Sequence, residues 1–213
     1  MSSTDSIDEL KGRSLEQLPK ELKTTFYVDN PQKIFWLSMI TGGLYPALWF
    51  YRHWRHFKRR AIECQKLNIE NPIKYEKDSE ISPFWSTFFC GYYIVGTARR
   101  IRDRLRYLGS SEFSTGPWWA FWLFSFNNLP TWKYDPTENI SENIAVLFVS
   151  LVGIAIASWQ VTRLQIKANQ SILLSQEMES ISRKKLKRWD LIFLILGVIF
   201  TPLYIFGAII PPI

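Results

Sequence analysis

The chain has 213 residues, enough for one domain, and 16% of them are aromatic, ten being Trp, which is high for a soluble domain. Its net charge of +7 does not point to nucleic acid, because the Lys and Arg residues flank apolar runs instead of forming a separate basic domain. Cys64 and Cys90 are the only cysteines, so a disulfide framework is excluded and two inert thiols on the reducing side are expected.

Residues 1–30 mix five acidic residues before Asp29 with four basic ones and few large apolar groups, which predicts a flexible polar N-terminus. Ser14-x-x-Gln17 has the form of a capping box for a short helix through Lys23. No apolar core of a secretory signal is present there, so the spans themselves are expected to direct insertion.

Ile34 to Tyr51 is eighteen residues without a formal charge. At ~1.5 Å per residue such a run is about the shortest that crosses the ~30 Å hydrocarbon layer as a helix. Arg52, Arg55, Lys58, Arg59 and Arg60 follow, and positive charge beside a span marks the cytoplasmic end. Thr41, Gly42, Gly43 and Pro46 interrupt the run, since Gly adds backbone freedom and Pro removes a donor. Two shapes satisfy this: a kinked single span, or a re-entrant hairpin whose turn other helices shelter. The N-terminus lies outside the cytoplasm in the first and inside it in the second.

Thr41-x-Gly43-x-Tyr45-x-x-x-Trp49-x-Tyr51, followed by basic residues, resembles the signature of a family of small bacterial membrane proteins known as domain of unknown function 4234. Ser82-Pro83-Phe84-Trp85, Gln165-x-x-x-Asn169 and Trp189 ahead of a Gly-containing terminal span are similar to blocks of its longer members. The resemblance implies a multi-pass location in the bacterial inner membrane. It brings no activity, cofactor or catalytic residue.

From Tyr51 to about Leu67, Trp54, Phe57, Ala61 and Cys64 recur at helical spacing among basic residues, predicting an amphipathic helix along the bilayer surface. His53 and His56 are three apart without a third ligand at a suitable spacing, so headgroup contact is expected over metal binding. Residues 81–98 are uncharged but rich in Ser, Thr, Tyr and Gly, and Arg99, Arg100, Arg102, Arg104 and Arg106 follow. Basic residues at both ends predict a dip into one leaflet. Ala98, Ile101, Leu105 and Leu108 then line one face of a second basic amphipathic helix.

Residues 117–130 are short and strongly aromatic, and the acidic loop 131–143 behind them is assigned to the outer face. Ile144 to Val161 reads as an ordinary span in which Gly153 and Ala157 form a small-residue packing face. Arg163 to Asp190 is polar and ends in a basic run with Trp189 as an aromatic anchor. Leu191 to Ile210 is the third span, with Gly197 and Thr201 as its small face and Pro202 as a kink.

The expected fold is therefore all-α: a multi-pass helical membrane protein with spans 34–51, 144–161 and 191–210, short aromatic re-entrant or interfacial segments at 81–98 and 117–130, and basic amphipathic helices. Metal-ligand, phosphate-loop and nucleophile motifs are absent, and the apolar runs carry no ionisable residue, which argues against an enzyme or a coupled transporter. No cofactor is expected. The expected role is association with anionic membrane lipid through Arg52, Arg55, Lys58, Arg59, Arg60, Arg99, Arg100, Arg102, Arg104 and Arg106. Alternatives are a membrane-permeabilising effector of a stress or phage-defence system, a homo-oligomer, or a membrane subunit for a soluble partner docking on 162–190.

Overall fold

The computed structural model describes residues 17–68, 78–110, 140–177 and 186–209, and all the regular structure among them is helical. The first helix, α1 (Pro31–Ile40), starts where the Asn30 side chain accepts a hydrogen bond from the Gln32 N–H at 3.0 Å and Pro31 occupies the first turn. It stops at Thr41, whose hydroxyl donates to the Leu37 carbonyl and accepts from the Tyr45 N–H. Gly42 (φ 57°) and Gly43 (φ 87°) make the turn in the left-handed region that only glycine enters freely. Helix α2 (Tyr45–Lys66) then begins with Pro46 in its first turn.

The run 34–51 is thus not one helix. Lys33 near the start of α1 and Arg52, two turns into α2, reach the same two carboxylates, Asp29 and Asp190, so the chain doubles back. Ten residues of α1 span only about 15 Å, half a hydrocarbon layer.

Residues 81–98 do not form a separate segment. Helix α3 (Pro83–Phe88) ends at Phe89, and α4 (Cys90–Tyr107) continues without a break into the arginine-rich stretch. Helix α5 (Ile140–Leu174) contains the expected span 144–161 and runs on through the polar region behind it. Helix α6 (Arg188–Ile209) contains the described part of the last expected span, with Pro202 inside. The segment 117–130 and residues 131–139 of the expected loop 131–143 lie outside the described residues, as does Ser14 of the expected capping box, whereas residues 140–143 of that loop are helical, as the first turn of α5.

The apolar stripes of the two basic helices turn inward. Trp54 and Phe57 of α2, Ile94, Ala98, Ile101 and Leu105 of α4, and Val161, Leu164, Ala168 and Ile172 of α5 share one core. Each stripe is covered by protein, where the periodicity alone had placed it on the bilayer surface. Residues 17–30, expected to be flexible, also pack: Leu22 sits in a 3-10 turn (Lys20–Leu22), Leu18 meets Cys64, and Phe26 and Val28 enter the main core. Full burial of such side chains contributes roughly 1.5–3 kcal/mol each, which anchors a segment whose composition is otherwise polar.

Where α6 crosses the tip of α1 the backbones nearly touch. A Cβ on Gly197 would lie 2.7 Å from the Ile40 carbonyl oxygen, and the Thr201 hydroxyl donates to that same oxygen at 2.7 Å. Gly197→Ala should therefore push α6 off α1 and cost about 1–3 kcal/mol, the usual range for overpacking. A thermal melt in detergent micelles checks this; an unchanged midpoint would contradict the close approach.

Candidate functional site

The most highly charged buried site lies where α1, α2 and the start of α6 converge. Asp190, fully buried, receives the Lys33 ammonium at 3.0 Å, the Arg52 guanidinium at 2.6 Å, the Tyr45 hydroxyl at 2.9 Å and the Lys187 backbone N–H at 2.9 Å. Asp29, also buried, adds a second carboxylate 2.5 Å from Lys33 and 3.7 Å from Arg52. Burial alone would raise the Asp190 pKa, but the Lys187 N–H, Lys33 and Arg52 outweigh it and hold the carboxyl below its ordinary range. Two acids and two bases in one pocket leave the group close to neutral as a whole, which is how such charges tolerate removal from water.

One turn further along α2 a neutral network joins it to α5. The Gln165 carbonyl accepts from Trp49 Nε1 (2.7 Å) and from His53 Nε2 (3.1 Å), while its amide donates to the Tyr27 carbonyl (3.0 Å) and to Asn169 Oδ1 (2.7 Å). Asn169 donates in turn to the Asp29 carbonyl. Because Gln165 Oε1 can only accept, His53 carries its proton on Nε2 and is neutral, and burial pushes its pKa down to about 4. The acidic residue Glu177, past the end of α5, accepts from the Thr25 N–H and hydroxyl and from Arg104 at 3.1 Å. Arg100 pairs with Asp78 at 2.5 Å and lies 4.6 Å from the Trp54 ring centre.

These contacts redistribute the ten basic residues expected at headgroups. Arg60 and Arg100 are buried, the former against the Lys23 carbonyl, and Arg104 is held by Glu177. Arg102 bonds its neighbour Asp103, and Arg52 is nine-tenths buried against Asp190. Arg55, Arg59, Arg99 and Arg106 remain exposed, and Lys58 is half-buried. His53 and His56 do not face outward either; His56 bonds the Thr24 carbonyl at 2.8 Å. Arg52, Arg60, Arg100 and Arg104 share one physical reason: each found an acid or carbonyl on another segment of the chain. Of the small-residue faces, Gly197 and Thr201 meet Ile40, while Ala157 is buried and Gly153 half-buried on α5.

Sequence reasoning passed over Asp29, Lys33 and Asp190 because they sit outside the apolar runs, and it read Tyr45 inside the first run only as part of an aromatic motif. A signal was present in the aromatic motif, since Tyr45 and Trp49 are the side chains that bond Asp190 and Gln165. Gln165 and Asn169, one turn apart, similarly mark the polar face of α5.

Two cavities flank Arg52. One, of about 410 Å³, is bordered by Arg52, Arg55, Arg59, Lys187 and Tyr27, with Glu21 at its edge. The other, of about 780 Å³, is apolar and bordered by Leu48, Tyr51, Phe84, Thr87 and Phe193. Arg52, Arg55 and Trp189 belong to both. Among the described residues no three His, Cys, Asp or Glu are grouped to hold a metal ion.

The protein is all-helical, with a buried polar network where α1, α2, α5 and the start of α6 meet. One helix among the described residues, through Leu147–Leu174, is long and apolar enough to cross a membrane. No protein-family model, curated protein or solved structure matches the chain.

Proposed function

We propose that this is a non-enzymatic, multi-pass inner-membrane protein that associates with anionic lipid through a cytoplasmic basic face. The observation that carries this reading is the two-zoned surface. Phe148, Val149 and Val152 of α5 and Leu191, Ile195 and Val198 of α6 are exposed, as are Trp36 and Leu44 at the hairpin. Only a third of the most apolar window of α5 is buried, where a core helix of a soluble protein would be mostly buried. Arg55, Arg59, Arg99 and Arg106 lie on the helices that pack beside the second, polar half of α5.

In this reading the apolar first half of α5 and the part of α6 beyond Asp190 cross the bilayer, and α1 with the start of α2 forms a re-entrant hairpin whose turn rests on α6. The polar turn is tolerated at depth because Thr41 and Thr201 supply its backbone partners. Residues 17–30 pack against the basic half of α2 and so share its cytoplasmic side. Asp190, Arg52, Lys33 and Asp29 mark the membrane boundary, where ionised groups are far less costly than at the bilayer centre.

Two measurements test this. The protein should stay in host membranes through an alkaline carbonate wash, and a cysteine at Arg106 should react with an impermeant maleimide in inverted vesicles only. Release by carbonate, or labelling of right-side-out vesicles, would remove the location or its orientation. Polymer nanodiscs cut from the same membranes should be enriched in phosphatidylglycerol and cardiolipin over the bulk lipid, and this enrichment should fall when Arg55, Arg59, Arg99 and Arg106 are all changed to Gln.

A further inference from the structure

We infer that the two cavities beside Arg52 form one site for a single resident anionic phospholipid, its phosphate among Arg55, Arg59 and Lys187 and an acyl chain along Leu48, Tyr51, Phe84, Thr87 and Phe193. This deepens the lipid-associating reading above and rests on it. Three observations carry it.

The first is continuity. Arg52, Arg55 and Trp189 border both the basic cavity and the apolar one, so a charged head and an apolar tail can occupy them as parts of one molecule. Their volumes, about 410 and 780 Å³, each fall within the ~300–1,000 Å³ of small-molecule sites.

The second is charge. Among the described residues, Arg52, Arg55, Arg59 and Lys187 border the head cavity together with one acid, Glu21, which is exposed and 3.7 Å from Arg59. Arg52 is neutralised by Asp190 through Nη1, and its buried Nη2 has no hydrogen-bond partner. Arg55 makes no ion pair among the described residues. Lys187 is steered toward the cavity by its bond to the Tyr27 hydroxyl at 2.9 Å and by the Tyr27 ring beneath it. With Arg52 balanced by Asp190, the bases Arg55, Arg59 and Lys187 beside Glu21 suit a phosphodiester.

The third is position. Trp189 stands at the junction, 60% exposed, at the start of α6, where exposed Leu191 and Ile195 begin the apolar zone. An amphipathic indole there is suited to the glycerol level of a lipid, between phosphate and chain. The polar cavity is bordered by Lys187 and Trp189, and the apolar one by Trp189 and Phe193 further along α6.

The test uses the full chain purified in a mild detergent and stripped of loosely held lipid. Native mass spectrometry should find one phosphatidylglycerol retained per protein. Added phosphatidylglycerol with brominated chains should quench Trp189, with W189F losing that part of the signal, and brominated phosphatidylcholine should be far weaker. R55Q/R59Q, which removes head contacts, and T87F, which fills the tail groove, should each weaken binding roughly tenfold; A47F on the same groove wall provides a second plug, and far-UV circular dichroism verifies the fold of each. Competition by glycerol 3-phosphate would mean a free-phosphate pocket and overturn the lipid assignment. So would wild-type quenching in both T87F and A47F, or equal binding of phosphatidylcholine. If those plugs change nothing while nanodiscs stay enriched in anionic lipid, the single site fails alone; loss of that enrichment in the wild type would sink the broader reading.

Discussion

Asp190→Ala is expected to be among the most damaging single changes in the protein, lowering its unfolding free energy by about 3–5 kcal/mol at neutral pH, the range for breaking a buried ion pair from one side. Lys33 and Arg52 would keep only Asp29 between them, and Tyr45 would lose the acceptor of its hydroxyl. The penalty comes less from the lost attraction than from a buried excess of positive charge. Asp190→Asn should cost less, because it preserves shape and an acceptor. The pH dependence follows from the lowered pKa of Asp190: its stabilisation is fully present above the ordinary Asp value of about 3.9 and is lost as pH falls through the lower folded value. The gap between wild type and D190A should accordingly narrow in strong acid. Thermal unfolding in detergent micelles at pH 7 and at acid pH measures both, and a D190A midpoint equal to wild type would show that the network does not hold α6 to the hairpin.

Gln165→Leu should have a comparable effect, about 3 kcal/mol or more, although it removes no charge. The leucine would leave Trp49 Nε1, His53 Nε2, the Tyr27 carbonyl and Asn169 Oδ1 without their partner, and an unsatisfied buried polar group costs roughly 1–3 kcal/mol. Local relaxation and water entry would keep the total below the simple sum. Gln165→Glu keeps the acceptor for Trp49 and His53 and loses both donors, so it should fall between Leu and wild type. It should also raise the His53 pKa from about 4, because a carboxylate favours the imidazolium. In the wild type, neutral His53 contributes stability above its ordinary value of about 6.5, and this contribution is lost as pH falls through about 4. The histidine ring resonances followed by NMR in the wild type and Q165E report the shift; identical titrations would separate His53 from Gln165.

The two networks share a design feature. Each ties a residue near the chain start to one beyond position 160: Asp29 and Lys33 with Asp190, and the Tyr27 carbonyl with Gln165. The hairpin α1–α2 lies between, so its position is fixed by polar contacts at its open end and by the Gly197–Ile40 approach at its tip. On the proposed membrane location, helix association within lipid would gain little from the hydrophobic effect, and close backbone contact and buried hydrogen bonds would take its place.

What the sequence determined by itself is local. Helical class follows from apolar periodicity, the break after Ile40 from Thr41-Gly42-Gly43 and Pro46, and a membrane-length helix from the apolar run 144–161, which the structure extends as a helix to Leu174. Those features depend on neighbours within a few residues along the chain, which any reading of it can see. Which way the chain turns at the break follows from long-range contacts, Lys33 and Arg52 both meeting Asp29 and Asp190. The tertiary structure also decided which arginines face out. Arg60, Arg100 and Arg104 alternate with Arg59, Arg99 and Arg106 on the same two helices, and the deciding partners, the Lys23 carbonyl, Asp78 and Glu177, come from elsewhere in the chain. A basic stripe predicts positive charge near a membrane surface; only folding assigns each charge to an internal carboxylate or leaves it outward, because desolvating a cation is tolerable where an anion already waits.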